Sequence, residues 1–387
     1  MPTQAPYSVL IVGGTGFVGR HLVSHFLANP TFTKVIVLSR SAATSASRLE
    51  GATYLSCDLT DYASIRACIS DIKPTLIIHA ASPSAVTGTK NQYKKVNLHG
   101  TQNLLKTAKQ SEHVRSLIYT SSSTLAMGRE HVDVDESCEL ANYDAKASPY
   151  ARSKANAETM ILHANYPKYT EDEEYEANWA GHIATASIRL PIVYGTGDTT
   201  TIPGCLNALA KGQTSTIIGD GENFWSYCSA SNAATAHVFL ATALLTPPSS
   251  ALAPTERIAG QAFNINDGTP YPFWDFPRLC WKYAGHSPMQ RSQMSHLAVW
   301  VAFALSGILE WVFWFGTFGC KRPYKLGRQQ VEYMCFTHTY SIEKARQRLG
   351  FEPKGDFEED VRRSVEWCLE EGGWRAKLRG VKGVKQE

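Results

Sequence analysis

A chain of 387 residues, 43% of them hydrophobic and 19% charged, has the apolar content for a large core and is not disordered. A formal net charge of +3 without a dense Lys/Arg stripe excludes nucleic acid as an expected partner. The nine cysteines are scattered, odd in number and free of any C-x-x-C pair, which argues against a disulfide framework or a zinc site and for reduced thiols inside the cell.

The opening "MPTQAPYSVLIVGG" runs almost directly into a strand and lacks the parts of a signal peptide, so secretion is not expected. "YSVLIVGG" reads as a strand ending in glycines, and "GFVGRHLVSHFLANP" as a helix stopped by Pro30. "KVIVLSR", "ATYLSCD" and "PTLIIHAAS" read as the second, third and fourth strands. "VNLHGTQNLLKTAKQS" follows as a helix, "VRSLIYTSSS" as a fifth strand, "SPYARSKANAE" as a polar helix and "TASIRLPIVYG" as a sixth strand. Near-continuous apolar strands separated by helices predict an α/β fold: a Rossmann-type doubly wound parallel sheet, with a smaller C-terminal substrate-binding cap. We therefore expect an NAD(P)-binding domain carrying the catalytic residues over 1–198, a cap partly interleaved with the sheet over 199–380, and a tail over 381–387. The acidic insertion from Tyr169 to His182 reads as a surface loop. Beyond Gly195 the strand–helix rhythm loosens and tryptophans accumulate: Trp225, Trp274, Trp281, Trp300, Trp311 and Trp314.

One segment stands apart. Leu297 to Gly319 is 23 residues long with Glu310 as its only charge, and "CKRPYK" follows. The length suffices to cross a bilayer and the basic run would anchor it, but a mid-span acid costs roughly 2.5–3.5 kcal/mol. A helix that dips into a membrane face or roofs a lipophilic site is the preferred expectation over a single span.

"VLIVGGTGFVGRHLV" places Gly13, Gly16 and Gly19 at G-x-x-G-x-x-G spacing between a strand and a helix. Such glycines let the backbone turn tightly against a pyrophosphate, whose charge then meets the helix N-terminus. Gly13, Thr15, Gly16, Phe17 and Gly19 are thus candidate cofactor contacts. The second strand ends in Ser39 and Arg40, where an acid would hold the ribose of NAD. Arg40 pairing with a 2′-phosphate favours NADP; Arg40 stacked on adenine would serve NAD equally. Asp58, with Leu59 beside it, is placed to meet the adenine amino group.

At the same sheet edge "SSSTLAMG" follows the fifth strand, and the next helix presents Tyr150 and Lys154. A Lys⁺ beside a tyrosine favours the phenolate, which can take a proton from an alcohol while hydride leaves for a nicotinamide. A serine hydroxyl on the same oxygen steadies the developing charge.

These motifs, with "CDLTD", "HAAS" and "RLPIVYGTGD", resemble the extended short-chain dehydrogenase/reductase superfamily. "IGDGENFWSYCSASNAATAHVFLATALL", "GQAFNINDGTPYPFWDF" and "SIEKARQRLGFEPKGDFEEDVRRSVEW" resemble its 3β-hydroxysteroid dehydrogenase branch, and within it the fungal-type sterol-4α-carboxylate 3-dehydrogenases. The resemblance implies Ser123 as catalytic serine, five residues before Gly128, with Ser122 as the alternative. It implies Tyr150 as base, Lys154 as the ribose-binding lysine and Asn97 as the asparagine of the "VNxxGT" helix start. Ala80, Ala81, Ser82 and Pro191 become neighbours of the nicotinamide. Two positions depart from the pattern: Ser231-Asn232 replaces an Asp-Asn pair, and the acid after the second strand is missing. His79, His99 and His237 read as structural, and no metal site is expected.

The expected activity is NAD(P)-dependent oxidation of a 3β-type secondary alcohol on a sterol or triterpenoid-like, lipophilic substrate, with loss of an adjacent carboxylate as CO₂ where one is present. An intracellular setting is expected, cytoplasmic or on the cytosolic face of an internal membrane, and the resemblance implies a homodimer. Two other readings are kept. A nucleotide-sugar epimerase or dehydratase shares the fold, but Thr199 to Ala253 offers Lys211 alone as a basic anchor for a diphosphate. A non-catalytic nucleotide-sensing protein would commonly lack the Tyr or the Lys.

Overall fold

The computed structural model describes residues 7–42, 44–169, 178–248, 250–317, 327–381 and 383–384. Residues 170–177 of the acidic insertion, the basic run "CKRPYK" and most of the 381–387 tail lie outside the described residues.

Seven parallel strands form the central sheet: β1 (Tyr7–Val12), β2 (Phe32–Ser39), β3 (Thr53–Ser56), β4 (Leu76–His79), β5 (Ser116–Ser122), β6 (Ala184–Leu190) and β7 (Gln261–Asn264). Their order is β7-β6-β5-β4-β1-β2-β3, with the chain reversing direction across the sheet between β1 and β4. Successive side chains of a strand point to opposite faces, and the two cores follow this period. Val9 and Ile11 of β1, with Val35 and Val37 of β2, pack on one face; Leu10, Val12, Ile36 and Leu38 pack on the other.

Helix α1 (Phe17–Ala28) buries Leu22, Val23 and Phe26 on the first face. On the second face lie α2 (Tyr62–Ile72), α3 (Thr101–Gln110) and α4 (Pro149–His163), which bury Ile65 and Ile69, Leu104 and Leu105, and Ala157 and Ile161. The start of α4 is written locally: Ser148 accepts the Ala151 N–H at 3.1 Å, and Pro149 occupies the first turn, where no N–H is needed. Helix α5 (Ala230–Leu245) returns to the first face beside α1. The chain beyond residue 198 therefore supplies both sheet-layer elements, α5 and β7, and the cap.

Pro191 divides the expected sixth strand. It has no N–H to extend the ladder, and Ile192–Tyr194 leaves the sheet to pair with Tyr227–Ser229. The cap is built on a four-stranded sheet of Tyr271–Pro272, Phe224–Trp225, His338–Tyr340 and His131–Val134. Its core is aromatic, with Tyr227 stacked on Phe276 at 4.5 Å. The tryptophans split: Trp225 and Trp281 are buried in this core, whereas Trp300, Trp311 and Trp314 stand exposed on α6 (Val299–Thr317). Helix α7 (Arg328–Cys335) packs back on α6.

Candidate active site

The carboxyl ends of β1, β2, β4, β5 and β6 meet on one edge of the sheet, where an α/β sheet places its ligand. Gly13 leaves β1 with φ +89°, and a Cβ there would lie 2.7 Å from the Ala81 backbone at the end of β4. A Cβ on Gly19 would drive into the Gly13 carbonyl. Gly16 caps α1 with no side-chain hydrogen bond, so the first N–H groups of that helix stay open toward the edge. This is a cradle shaped for a dinucleotide pyrophosphate, and the residues present fit NAD(P). Thr15 hydrogen-bonds Ser39 at 2.7 Å, joining the loop to the end of β2, and Phe17 packs toward Gly195. Arg40 is exposed, and its charge, after the Thr60 N–H, helps hold the Asp58 carboxyl below its usual value. Leu59 is buried beneath Gly100, and Ala80 and Pro191 are half-buried along the edge.

Gly13→Ala has two costs here, a left-handed backbone and a clash with Ala81. Its NAD(P)H affinity, read by nucleotide fluorescence, is expected to fall about tenfold or more, since 1.4 kcal/mol suffices for that. Unchanged affinity would place the nucleotide elsewhere.

Tyr150 lies in the first turn of α4, half-buried, with the edge of its ring against Tyr93 at 5.5 Å. Burial pushes its phenol up to about 12, against the pull of the Ser122 and Ser82 hydroxyls. The hydroxyls that act on the phenol are those of Ser122, at the end of β5, and Ser82, after β4. Ser123, the serine expected from its distance to Gly128, is buried with its Oγ unpartnered. Strand β5 ends at Ser122, and Ser123 opens a short 3₁₀ turn, Ser123–Leu125, in which its side chain is buried.

Lys154 is buried at the base of the site. Its Nζ donates to the Thr120 carbonyl at 2.5 Å and sits over the Tyr119 ring at 4.2 Å. Burial lowers it to about 7, while Glu158 one turn further along α4 acts to raise it. At Tyr150 burial is the largest influence and raises the phenol. Asn97 stands in a π-helical turn, Lys94–Gly100, a geometry frequent at functional sites. Its Nδ2 donates to Ser153 Oγ at 2.9 Å, and Ser153 Oγ donates to the Tyr150 carbonyl at 2.7 Å. The Asn97 Oδ1 is buried without a partner.

Beneath this layer Glu158 and Arg189 form a buried, two-pronged ion pair, 3.0 Å from Nε and 2.7 Å from Nη2 to Oε1. His79 and His237 are fully buried and pushed down to about 3 and about 4 by burial, bonded to Thr101 and Thr120. His99 is exposed. Among the described residues no His, Cys, Asp and Glu group could hold a metal.

Residues 10–296 match the model of the 3-beta hydroxysteroid dehydrogenase/isomerase family. The chain belongs to this family. It is 30% identical over 364 residues to the sterol-4-alpha-carboxylate 3-dehydrogenase, decarboxylating, of Schizosaccharomyces pombe, covering 94% of this chain and 98% of that protein. The corresponding protein of Saccharomyces cerevisiae is 30% identical over 375 residues, with the same 94% and 98% shares. Among solved structures, the fold is similar to that of Thermus thermophilus UDP-glucose 4-epimerase in complex with NAD, with a TM-score of 0.64 and 21% identity over 94% of this chain and 99% of that one. This 3β-hydroxysteroid dehydrogenase family member is an NAD(P)-binding oxidoreductase of the Rossmann type.

Several residues of the site were not singled out in the sequence. Tyr93 stands one helical turn before Asn97, and Glu158 one turn after Lys154, so helical spacing alone could have flagged both. Tyr333, whose charge acts on Tyr150, and Tyr119, whose ring lies under the Lys154 Nζ, carry no such mark, because one lies on α7, far along the chain, and the other on a strand.

Proposed function

We propose that this chain oxidises the 3β-type hydroxyl of a sterol or triterpenoid-like acid and that the carboxylate on the adjacent carbon leaves as CO₂. The observation that carries this reading is the Tyr150 phenol beside the Ser122 hydroxyl, at the sheet edge that also forms the dinucleotide cradle. A nicotinamide held at this edge would supply the acceptor for the hydride of the carbinol carbon. Tyr150 takes the hydroxyl proton, Ser122 donates a hydrogen bond to the same oxygen, and Asn97 holds the first turn of α4 through Ser153. Lys154 is assigned to the ribose and to the charge of the phenolate. The product ketone lies β to the carboxylate, so the C–CO₂ bond breaks with its electron pair entering an enol, and a proton then returns to carbon.

The names of the curated relatives support the sterol acid as substrate. Arg40 and the absent acid at the end of β2 support NADP over NAD. The same reading places the enzyme at the cytosolic face of an internal membrane, as a homodimer. A panel of 3β-hydroxysterols with and without a 4α-carboxylate, assayed with NAD⁺ and NADP⁺ beside UDP-sugars, tests it. Reduction of the nucleotide by sterols supports the proposal, and turnover of sugar nucleotides alone overturns it.

The pair also sets a pH dependence. Below about 7 both Lys154 and Tyr150 hold their protons, and no base is present. Between about 7 and about 12 they hold one proton together, and the phenolate–ammonium arrangement is a constant share of that state. kcat/KM for alcohol oxidation is therefore expected to fall about tenfold per pH unit below about 7 and to be level from there to about 9. A profile that still climbs steeply between about 8 and 10 would show that Lys154 does not share the proton.

A further inference from the structure

Tyr93 is 4% exposed and closes a helical turn, Lys90–Tyr93, that opens with a reciprocal cap. Thr89 Oγ1 accepts the Gln92 N–H at 3.2 Å, and Gln92 Oε1 accepts the Thr89 N–H at 2.8 Å. Such a cap fixes where the helix begins, and with it the direction of the Tyr93 ring. The rings of Tyr93 and Tyr150 meet edge to face, 5.5 Å apart, and the Tyr93 hydroxyl donates to the Ser84 carbonyl at 2.7 Å. The same carbonyl accepts the Gly88 N–H at 2.9 Å, and Ser84 Oγ accepts the Val86 and Thr87 N–H groups at 3.2 and 3.3 Å. The turn Ser84–Gly88 thus closes on itself, and Tyr93 holds it in place. Among the described residues this is the one hydrogen bond that ties the main chain of Ser82–Gly88 to the rest of the protein. Gly88 leaves the room for it: a Cβ there would lie 2.6 Å from the Tyr93 hydroxyl and from the Ser84 carbonyl oxygen.

We infer that Tyr93 is a positioning residue for alcohol oxidation: its ring sets the Tyr150 ring, and its hydroxyl, through the Ser84 carbonyl, holds the loop that brings Ser82 to the Tyr150 phenol. The inference rests on the reading of Tyr150 as the base. Ser82 stands two residues before Ser84 on that loop and is one of the two hydroxyls that act on the phenol. One turn beyond Tyr93, Asn97 grips Tyr150 a second time, through Ser153 to the Tyr150 carbonyl. The stretch from Thr89 to Asn97 therefore fixes the base at its ring, at its main chain and, by way of the loop, at its hydroxyl. Tyr93 is not itself a second base. Its proton is committed to the Ser84 carbonyl, and burial pushes its phenol up to about 12. Removal of that hydroxyl strands no polar atom, because the Ser84 carbonyl keeps the Gly88 N–H. Tyr93→Phe therefore changes the hold on the loop while the ring and the fold stay.

The test compares Tyr93→Phe, Gly88→Ala and Ser82→Ala with the parent, on the alcohol the parent oxidises and at saturating nucleotide. Each is expected to lower kcat about tenfold, since a misplacement of about 1 Å at a reacting group can cost about a hundredfold. For Tyr93→Phe the KM for the nucleotide and the thermal midpoint should stay unchanged, which separates lost position from lost binding or folding. The double variant Tyr93→Phe/Ser82→Ala decides the route: if Tyr93 acts through the loop, its kcat stays within about twofold of either single variant. Losses that multiply to about a hundredfold overturn the inference, as does a kcat for Tyr93→Phe within about twofold of the parent. Hydrogen exchange gives a reading free of substrate: Tyr93→Phe is expected to speed exchange of the Gly88 amide at least about tenfold, and unchanged exchange overturns the anchor. A parent that oxidises another alcohol but no sterol overturns the substrate assignment alone, because every ratio is taken on whichever alcohol is turned over.

Discussion

Tyr150→Phe is expected to lower kcat for alcohol oxidation by about 10²–10⁴ and to leave NAD(P)H binding unchanged. The substitution removes only the hydroxyl of the side chain, and it leaves the ring packed on Tyr93 and the α4 turn intact. The loss is therefore chemical: no other described side chain stands as a proton acceptor beside Ser122, since His79 and His237 are sealed in the core and bonded. Steady-state turnover together with nucleotide fluorescence checks it. Activity within about threefold of the parent would remove Tyr150 from the mechanism and leave a nucleotide-binding protein whose chemistry lies elsewhere.

Arg189→Met carries the largest expected effect on stability. Arg189 and Glu158 are both buried, and the guanidinium also donates to the Glu136 carbonyl at 3.2 Å. Loss of one partner leaves an uncompensated carboxylate in the core, at a cost of about 3–5 kcal/mol. Replacement of both, Glu158→Gln with Arg189→Met, removes the stranded charge and is expected to recover much of that loss. The midpoints of urea unfolding for the single and double variants measure it. A cost below about 1 kcal/mol for Arg189→Met would show that Glu158 is neutral or hydrated in the folded chain. The pair also lies one turn from Lys154, so the single variant is expected to disturb the pH profile as well.

The central sheet was legible because each buried strand announces itself as an apolar run, and the glycine loop marks its edge at β1. Pro191 shows where the reading stopped short. "TASIRLPIVYG" looks continuous, but a missing N–H ends the ladder and sends Ile192–Tyr194 to another partner. The choice between Ser122 and Ser123 turns on local geometry. Distance to Gly128 along the chain says nothing of orientation: β5 ends at Ser122, whose hydroxyl acts on Tyr150, and Ser123 begins a 3₁₀ turn with its Oγ buried. The burial of Lys154 could not be read from spacing, and neither could its bond to the Thr120 carbonyl. The tryptophans misled in the other direction. Trp225 and Trp281 are ordinary core, and Trp300, Trp311 and Trp314 face outward, so aromatic content alone did not describe a substrate pocket.

One measurement bears most directly on the proposed chemistry. A 4α-carboxylated 3β-hydroxysterol is turned over by the detergent-solubilised chain with NADP⁺ or NAD⁺, and CO₂ and reduced nucleotide are counted together. The account predicts one CO₂ for each reduced nucleotide, no CO₂ from the sterol lacking the carboxylate, and loss of both signals in Tyr150→Phe. CO₂ released without nucleotide reduction, or nucleotide reduced while the carboxylate is retained, would contradict it.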